Sequence, residues 1–262
     1  MTARVLAATA TLLALLCSLP SRVAATQVEL RGAVDTPGAI QLPHKARLSD
    51  AALAAHVQTD AYMAGAAWLR PSLVVEQQRA KAGLLFDLDS LRKQALKDER
   101  DELAQLAGDL SRWLGAMPAT GRQVALLDPR AVEVNAPENR LIGEGDTLYY
   151  PRRPSTIHVA GAVAQACDLP LVAMQDARKY LGGCVLSPLA DADWLYVIQP
   201  DGRVFRQGIG LWNRSAPMSL APGATLYVPI REHLVRGTAP DLNNELSAFL
   251  ATQLLTEPEA HR

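Results

Sequence analysis

The chain has 262 residues and a formal net charge of −1, with 26 basic residues against 27 acidic ones. This length is enough for one or two domains. A nearly neutral chain lacks the concentrated positive charge with which proteins bind nucleic acid, so a nucleic-acid-binding function is excluded.

Residues 1–25 have the pattern of a Sec-type signal peptide, with cleavage expected after Ala25. One positive charge, Arg4, precedes an uncharged stretch over Val5–Leu19, and small residues stand just before the expected cleavage point. The uncharged stretch is too short to span a bilayer. We therefore expect an exported, periplasmic protein whose mature chain has a net charge of −3.

The mature chain contains two cysteines, Cys167 and Cys184. An even number of cysteines in an oxidising compartment favours a disulfide, although two free buried thiols would also fit the count. A bridge would close a loop of about 18 residues and, on the loop-entropy account, would stabilise the fold by about 3 kcal/mol.

One structural unit occurs twice along the mature chain. The opening strands are "VELRGAV" (28–34) and "IHVAGAV" (157–163), each with apolar residues at alternate positions. The closing strands are "GDTLYYP" (145–151) and "GATLYVP" (223–229). Similar segments in the same order predict a duplicated domain.

Each copy is also predicted to contain one helix and one hairpin between these strands. A helix across one face of a small mixed sheet is an α+β arrangement, so we expect two tandem α+β domains, at 26–153 and 154–231. The predicted helices are "LSDAALAAH" (48–56) and "MQDARKYLGG" (174–183), and the predicted hairpins are "VALLDPRAVEV" (124–134) and "YVIQPDGRVFR" (196–206).

The first copy is about 50 residues longer than the second, and the extra residues, at about 67–117, have the pattern of a helical hairpin. Pro71 suits the start of a helix that would end at Gly83. Asp87 would cap a second helix, and "KDERDE" at 97–102 would be either its solvated middle or a break. The apolar side of this hairpin needs a partner, and its own domain is the expected one.

The last segment, 232–262, is predicted to carry an amphipathic helix of about 16 residues. Three uses of its apolar side are open: folding back on its own domain, docking on a partner, or contact with a membrane. The apolar stripe consists of Leu242, Leu246, Phe249, Leu250 and Leu254.

These residues together resemble the GfcC-type family of capsule biosynthesis proteins. The likeness rests on "VELRGAVDTPG" (28–38), on the "SDA" and "YLGG" helix edges, and on "PGATLYVP" (222–229). The resemblance implies two tandem β-grasp domains of the soluble-ligand-binding (SLBB) type, related in layout to Wza-type polysaccharide export channels. It also implies a periplasmic protein that binds polysaccharide or an outer-membrane export component.

Four residues are candidates for ligand binding, namely Arg122, Trp68, Arg70 and Trp194, and the assignment of a fifth, Trp212, is open. Arg122 follows the insertion, where its guanidinium would hold a carboxylate or phosphate with two hydrogen bonds; the resemblance supports an arginine here, and a surface or ion-paired arginine is the alternative. Trp68, beside Arg70, would be either a core residue or a platform for a sugar ring. The same two alternatives apply to Trp194 and to Trp212, which flank the second hairpin.

The motif record does not favour an enzyme. The chain has no serine nucleophile elbow, no phosphate-binding glycine loop and no histidine pair at the spacing of a helical metal site. Neighbouring carboxylates such as Asp191 and Asp193 are expected to be solvated loop charges. We therefore expect a non-catalytic protein of capsule or exopolysaccharide assembly, without cofactor or metal. The alternatives are an enzyme that modifies the same polymer and a scaffold that docks through its C-terminal helix.

Overall fold

The computed structural model of the protein describes residues 25–255, so nearly all of the predicted signal peptide lies outside the described residues. The first half contains strands β1 (Thr26–Gly32), β2 (Gly38–Leu42), β3 (Ala67–Leu69), β4 (Arg122–Gln123) and β5 (Thr147–Tyr150). Its helices are α1 (Leu48–Ala54), α2 (Pro71–Lys97), α3 (Asp101–Ala116) and α4 (Pro129–Val134), and a 3-10 turn lies at Met63–Gly65.

The second half contains a matching set of strands and fewer helices. The strands are β6 (Thr156–Gly161), β7 (Cys167–Pro170), β8 (Trp194–Ile198), β9 (Val204–Gly208) and β10 (Thr225–Val228). A 3-10 helix covers Ala177–Gly183, and two α-helices follow the last strand: α5 (Glu232–Val235) and α6 (Leu242–Leu250).

The two halves form two mixed sheets of five strands with the same topology. The strand orders are β2-β1-β5-β3-β4 and β7-β6-β10-β8-β9. In each sheet the first and last strands of the unit pair in parallel, and the other neighbours pair antiparallel. The predicted α+β architecture in two tandem units is therefore confirmed.

The register of the central strands confirms the duplication residue by residue. Leu30 pairs with Leu148 in the first sheet, and Val159 pairs with Leu226 in the second. All four side chains are buried. These are the residues that the sequence repeat aligns, so equivalent positions of the repeat occupy equivalent places in the two cores.

The glycine of the repeated Gly-Ala-Val sequence is required by the backbone at both places. Gly32 and Gly161 have φ values of 82° and 107°, in the region that favours glycine. A Cβ at Gly32 would overlap the carbonyl of Tyr150, and one at Gly161 would overlap the carbonyl of Val228. In both domains the opening strand therefore ends at a glycine whose backbone lies close to a carbonyl of the neighbouring closing strand.

The hairpin predicted at 124–134 is wrong. The partner of β3 is β4, which ends at Gln123, and the following residues form a loop and α4. Asp128 accepts a hydrogen bond from the backbone N–H of Ala131 at 2.8 Å, and Pro129 occupies the first helical position. Aspartate followed by proline therefore starts a helix here rather than a tight turn. The hairpin predicted at 196–206 is confirmed as β8 and β9.

The helix predicted at 174–183 is a 3-10 helix of seven residues rather than an α-helix. Asp176 caps its start, since the carboxylate accepts a hydrogen bond from the backbone N–H of Arg178. The two glycines at its end leave the segment too short for several α-helical turns.

The predicted helical hairpin exists, but its helices have other boundaries. It replaces the turn between β3 and β4, because α2 and α3 lie between them in the chain. Helix α2 continues through Gly83, where a Cβ would meet no other atom within 4 Å, so the glycine sits on an open surface. The break falls at the charged residues 98–100 instead, and Glu99 there has a φ of 56°. The predicted end at Gly83 and cap at Asp87 were wrong, because the buried leucine stripe of α2 runs across both positions.

The apolar side of the insertion packs against the second domain, not against its own domain as predicted. Leu84, Leu88 and Leu91 of α2 belong to one buried cluster with the inner residues of the second sheet. A separate cluster forms the core of the first domain, around Val28 and Trp68. An insertion carried by one domain thus completes the core of the other.

Helix α6 also belongs to the core of the second domain. Four residues of its predicted apolar stripe are buried there: Leu242, Leu246, Phe249 and Leu250. The side chain of Asn243 bonds both the N–H and the carbonyl of Ile230, at 3.1 and 2.7 Å. The helix therefore folds back on its own chain, and it is shorter than predicted. Between residues 25 and 255 no helix is both long and apolar enough to cross a membrane.

The predicted disulfide between Cys167 and Cys184 is confirmed. It ties the outer strand β7 to the residue that follows the 3-10 helix. We expect the Cys167→Ser variant to lose about 3 kcal/mol in free energy of unfolding, the value for closing a loop of this size. Urea unfolding with and without a thiol reductant measures the loss. The reductant should destabilise the wild type and leave the stability of the variant unchanged. Equal stability of the wild type and the variant in the absence of reductant would contradict the expectation.

Candidate functional site

Trp68 is a core residue of the first domain and has no exposed surface. Its indole Nε1 donates a hydrogen bond to Asp146 Oδ2 at 2.8 Å. The guanidinium carbons of Arg70 and Arg140 lie 4.6 and 5.1 Å from the ring centroid. Because an enclosed indole offers no face to a sugar, the structure supports the first of the two alternatives for Trp68, a core residue, and not the second, a ligand platform.

Arg70 supports the same buried group. Its Nη1 donates a hydrogen bond to Gln123 Oε1 at 2.9 Å, and its Nε lies 3.7 Å from Asp146 Oδ2. Burial raises the pKa of Asp146, whereas the N–H of Gly143, the indole of Trp68 and the charge of Arg70 lower it. Arg70 thus compensates a buried carboxylate, and ligand binding by this residue stays a prediction.

Arg122 is buried at the junction of the two domains. Its Nη1 donates hydrogen bonds to the carbonyl of Gln253 at 2.9 Å and of Ala251 at 3.3 Å. Its Nη2 donates to the carbonyl of Pro200, in the β8–β9 turn. The side chain is 7% exposed, and burial lowers its pKa while the charge of Asp201 raises it. Backbone carbonyls therefore occupy the donors that we predicted to hold a carboxylate or phosphate, and the alternative of a surface or ion-paired arginine does not describe Arg122 either.

The contacts of Arg122 belong to a wider clasp between the first domain and the chain end. Thr120 Oγ1 donates to the carbonyl of Thr252 at 2.7 Å, and Tyr149 Oη donates to the carbonyl of Leu255 at 3.1 Å. Gln253 Nε2 donates to the carbonyl of Pro118 at 3.2 Å. We call residues 251–255 with these partners the C-terminal clasp. The clasp holds the end of α6 against the first domain. The positive charge of Arg122 there also interacts favourably with the dipole at the C-terminal end of the helix.

A cavity of about 670 Å³ lies beside the clasp, and both domains line it. Its wall combines apolar residues with charges of both signs, and Arg122 is not among them. The first domain contributes Met63, Ala64, Val124–Asp128, Pro137, Glu138 and Arg140, and the second contributes Asp201 and Arg203. Groups of both signs around an open cleft suit a polar ligand with many hydroxyls better than a strongly charged one.

The half-buried Trp194 forms a cluster on the second domain with its neighbour Asp193 and with Arg206 and Trp212 from other segments. The guanidinium carbon of Arg206 lies 3.8 Å from the centroid of the Trp194 ring. The ring of Trp212 stands at 88° to that of Trp194, with centroids 6.3 Å apart. Trp212 is 73% exposed, and its Nε1 donates a hydrogen bond to Asp193 Oδ1 at 2.9 Å. We call these residues the tryptophan cluster.

The structure therefore separates the four predicted site residues. Trp68 and Arg70 form one buried group, Arg122 forms the domain junction, and Trp194 lies in the tryptophan cluster. Sequence reasoning missed Asp193 and Arg206 as members of that cluster. Two features of the sequence could have indicated the cluster. They are the charged and aromatic pair Asp193–Trp194 at the start of a strand, and a second tryptophan in the glycine-containing loop that follows the hairpin.

The carboxylates of Asp191 and Asp193 were predicted to be solvated loop charges, which is wrong for Asp191, because its side chain is buried and hydrogen-bonded to the backbone. Asp191 Oδ1 accepts hydrogen bonds from the N–H groups of Asp193 and Trp194, at 2.8 and 3.0 Å. Its Oδ2 accepts from the N–H of Glu232 at 3.3 Å. Within residues 25–255, no group of three or more histidine, cysteine, aspartate or glutamate residues is placed to hold a metal ion.

The fold defines a class of protein: two like α+β domains in tandem, in which an insertion of the first domain completes the core of the second. The chain belongs to the GfcC family of capsule biosynthesis proteins. The model of the GfcC N-terminal region matches residues 27–153, and that of the C-terminal region matches residues 165–255. Membership indicates a role in capsule polysaccharide biosynthesis and a place outside the cytoplasm.

A relative in Escherichia coli K12 supports the same assignment. The chain is 27% identical to the protein YjbG, described as uncharacterized, over 190 residues. The match covers 70% of this chain and 76% of YjbG. The similarity therefore extends over most of both proteins rather than over a single motif.

Proposed function

We propose that the protein is a non-catalytic periplasmic factor that binds polysaccharide during the assembly or export of capsule or exopolysaccharide. The observation that carries the proposal is the family match over both domains, each of which repeats one strand order. The parallel pairing of first and last strands beside two antiparallel pairs supports β-grasp domains of the SLBB type. An outer-membrane export component is the second kind of partner that this family role suggests.

Binding rather than catalysis is supported by the state of the carboxylates. Hydrolysis of a glycosidic bond requires two carboxyl groups about 5–9 Å apart across a cleft. Asp191 holds a chain turn, and Asp193 holds the indole of Trp212. Asp89 pairs with Arg92 and Lys93 on the surface of α2. Carboxylates engaged in this way are poor candidates for the acid and the base of such a reaction.

A scaffold role through the C-terminal helix has less support. The apolar side of α6 that would dock on a partner is buried against the second sheet and α2. Periplasmic location is supported by the pattern of residues 1–25 and by the disulfide, which an oxidising compartment favours.

Deletion of the gene in the host strain tests the proposed role. We expect a change in the amount, chain length or attachment of the surface polysaccharide, restored by the full-length gene on a plasmid. Gel analysis of the polysaccharide measures length, and comparison of cell-bound with released sugar measures attachment. Normal values for all three quantities in the deletion strain would count against a role in this pathway. New reducing ends released by the purified protein would favour the enzyme alternative.

A further inference from the structure

We propose that Trp212 is a platform on which one pyranose ring of the polysaccharide stacks, and that Asp193, Trp194 and Arg206 hold the platform in place. The inference rests on the proposed function, because it names the site at which the polysaccharide is bound. Trp212 would touch the ligand, whereas the other three are positioning residues.

The exposure of Trp212 is the first observation. Of the four tryptophans, Trp68 is fully enclosed, whereas Trp212 is 73% exposed and its neighbour Leu211 is 88% exposed. A ligand that covered this pair of exposed side chains would gain about 25 cal/mol per Å² of apolar area removed from water. The C–H face of a pyranose ring is a flat apolar surface of similar size.

The second observation is that the exposed indole is held in one orientation. Its only polar atom, Nε1, is bonded to Asp193. The ring is also in edge contact with Trp194, which is itself covered by the guanidinium of Arg206. Arg206 is in turn paired with Glu232 at the start of α5. A ring fixed by such a chain of contacts loses little freedom on binding, which favours affinity.

The third observation is that the loop around Trp212 is closed tightly on Asp193. The carbonyl of Asp193 accepts hydrogen bonds from Ile209 N and Asn213 Nδ2, at 2.7 and 2.9 Å. Ser215 bonds Gly208 through both its N–H and its Oγ. A Cβ at Gly210 would collide with the Asp193 carboxylate. These hydrogen bonds fix the backbone of the loop that carries Trp212.

The polar surroundings favour a sugar over a lipid surface. A tryptophan at a membrane interface uses its N–H on the headgroup region, but here that N–H is already bonded within the protein. The carboxylates of Asp193 and Glu232 offset the positive charges of Arg206 and Arg214, so the cluster lacks the concentrated positive charge with which proteins bind an anionic membrane. The carboxylates of Asp193 and Glu232 and the guanidinium of Arg206 place acceptors and donors around the cluster, which suits sugar hydroxyls.

Affinity electrophoresis of the mature chain in gels containing the host strain's extracellular polysaccharide tests the platform. We expect Trp212→Ala to weaken retardation by about 10-fold or more in apparent Kd, the effect of removing one aromatic stacking surface. The matched control is Phe86→Ala, which removes a 71% exposed aromatic ring from α2 and should bind as the wild type does. Circular dichroism checks that both variants are folded.

A second pair of variants tests the positioning role of Asp193. Asp193→Asn keeps an oxygen that accepts the indole N–H, whereas Asp193→Ala frees the ring. We expect Asn to retain binding and Ala to lose it, with the indole N–H signal of Trp212 shifted in the NMR spectrum of the Ala variant. Equal binding by both would overturn the positioning role.

Three results would overturn the platform. They are unchanged binding by Trp212→Ala, absence of polysaccharide binding by the wild type, and binding only to phosphatidylglycerol–phosphatidylethanolamine vesicles that Leu211→Ser abolishes. Each of these results concerns binding by the purified protein and is independent of the phenotype of the gene-deletion strain. Failure of the platform is therefore distinguishable from failure of the proposed pathway role.

Discussion

Replacing Arg122 with alanine is expected to lower the free energy of unfolding by about 3–5 kcal/mol, because three buried carbonyl oxygens lose a charged donor at once. Those oxygens belong to Pro200, Ala251 and Gln253. The C-terminal clasp should open as well, and amide exchange of residues 249–253 should become faster. Urea unfolding followed by circular dichroism measures the stability, and hydrogen exchange measures the clasp.

Two further variants make the Arg122 result specific. Arg122→Lys keeps the charge but lacks the planar fork that reaches several acceptors, so we expect an intermediate loss of stability. Arg203→Ala removes a 68% exposed arginine from the neighbouring turn and should change stability by no more than about 0.5 kcal/mol. A variant Arg122→Ala with wild-type stability but lost polysaccharide binding would contradict the structural role and restore the ligand-binding interpretation.

Ending the chain after Arg231 is expected to abolish folding of the second domain. The deletion removes the buried side chains Leu242, Leu246, Phe249 and Leu250. Burial of each contributes about 1.5–3 kcal/mol, so the total is comparable with the whole stability of a typical domain, about 5–15 kcal/mol. Soluble yield and the near-ultraviolet circular dichroism spectrum measure the outcome.

The matched truncation ends the chain after Leu255, which keeps the contacts that α6 and the C-terminal clasp make within residues 25–255, and it should fold normally. A point variant gives a graded version of the test. Leu246→Ala should cost about 2–5 kcal/mol, whereas the exposed Glu245→Ala should cost almost nothing. A folded, soluble chain ending at Arg231 would show that α6 is an accessory segment available for docking.

Local sequence patterns predicted the parts of the fold that depend on neighbouring residues. Alternation of apolar residues and the glycine after it identified the opening strands, because a strand with one face in the core must alternate. The tight turn at Pro200–Gly202 was likewise predicted correctly. The patterns failed at 124–134, where Asp128 and Pro129 are equally good signals for a helix start and for a turn.

The candidate site shows the same division. The sequence marked Trp68, Arg70, Arg122 and Trp194 by residue type, but type alone does not say whether a side chain is enclosed. Trp68 is enclosed in the core of the first domain, and the residue that accepts its indole N–H, Asp146, lies far away in the chain. Arg122 became a junction because the end of the chain returns to it, 129 residues later for Ala251.

By itself the sequence determined the duplication, the two α+β domains, the disulfide partners and the membership of a capsule biosynthesis family. The domains and the family follow from short-range patterns that occur twice, so each copy supports the interpretation of the other, whereas the disulfide follows from the number of cysteines in the mature chain. Only the tertiary structure decided that the insertion and α6 complete the second core, that Arg122 joins the domains, and that Trp212 stands in solvent. The physical reason is that an apolar helix face requires an apolar surface, and a buried donor requires an acceptor, but many segments of the chain could provide either. The path of the whole chain decides which segment does.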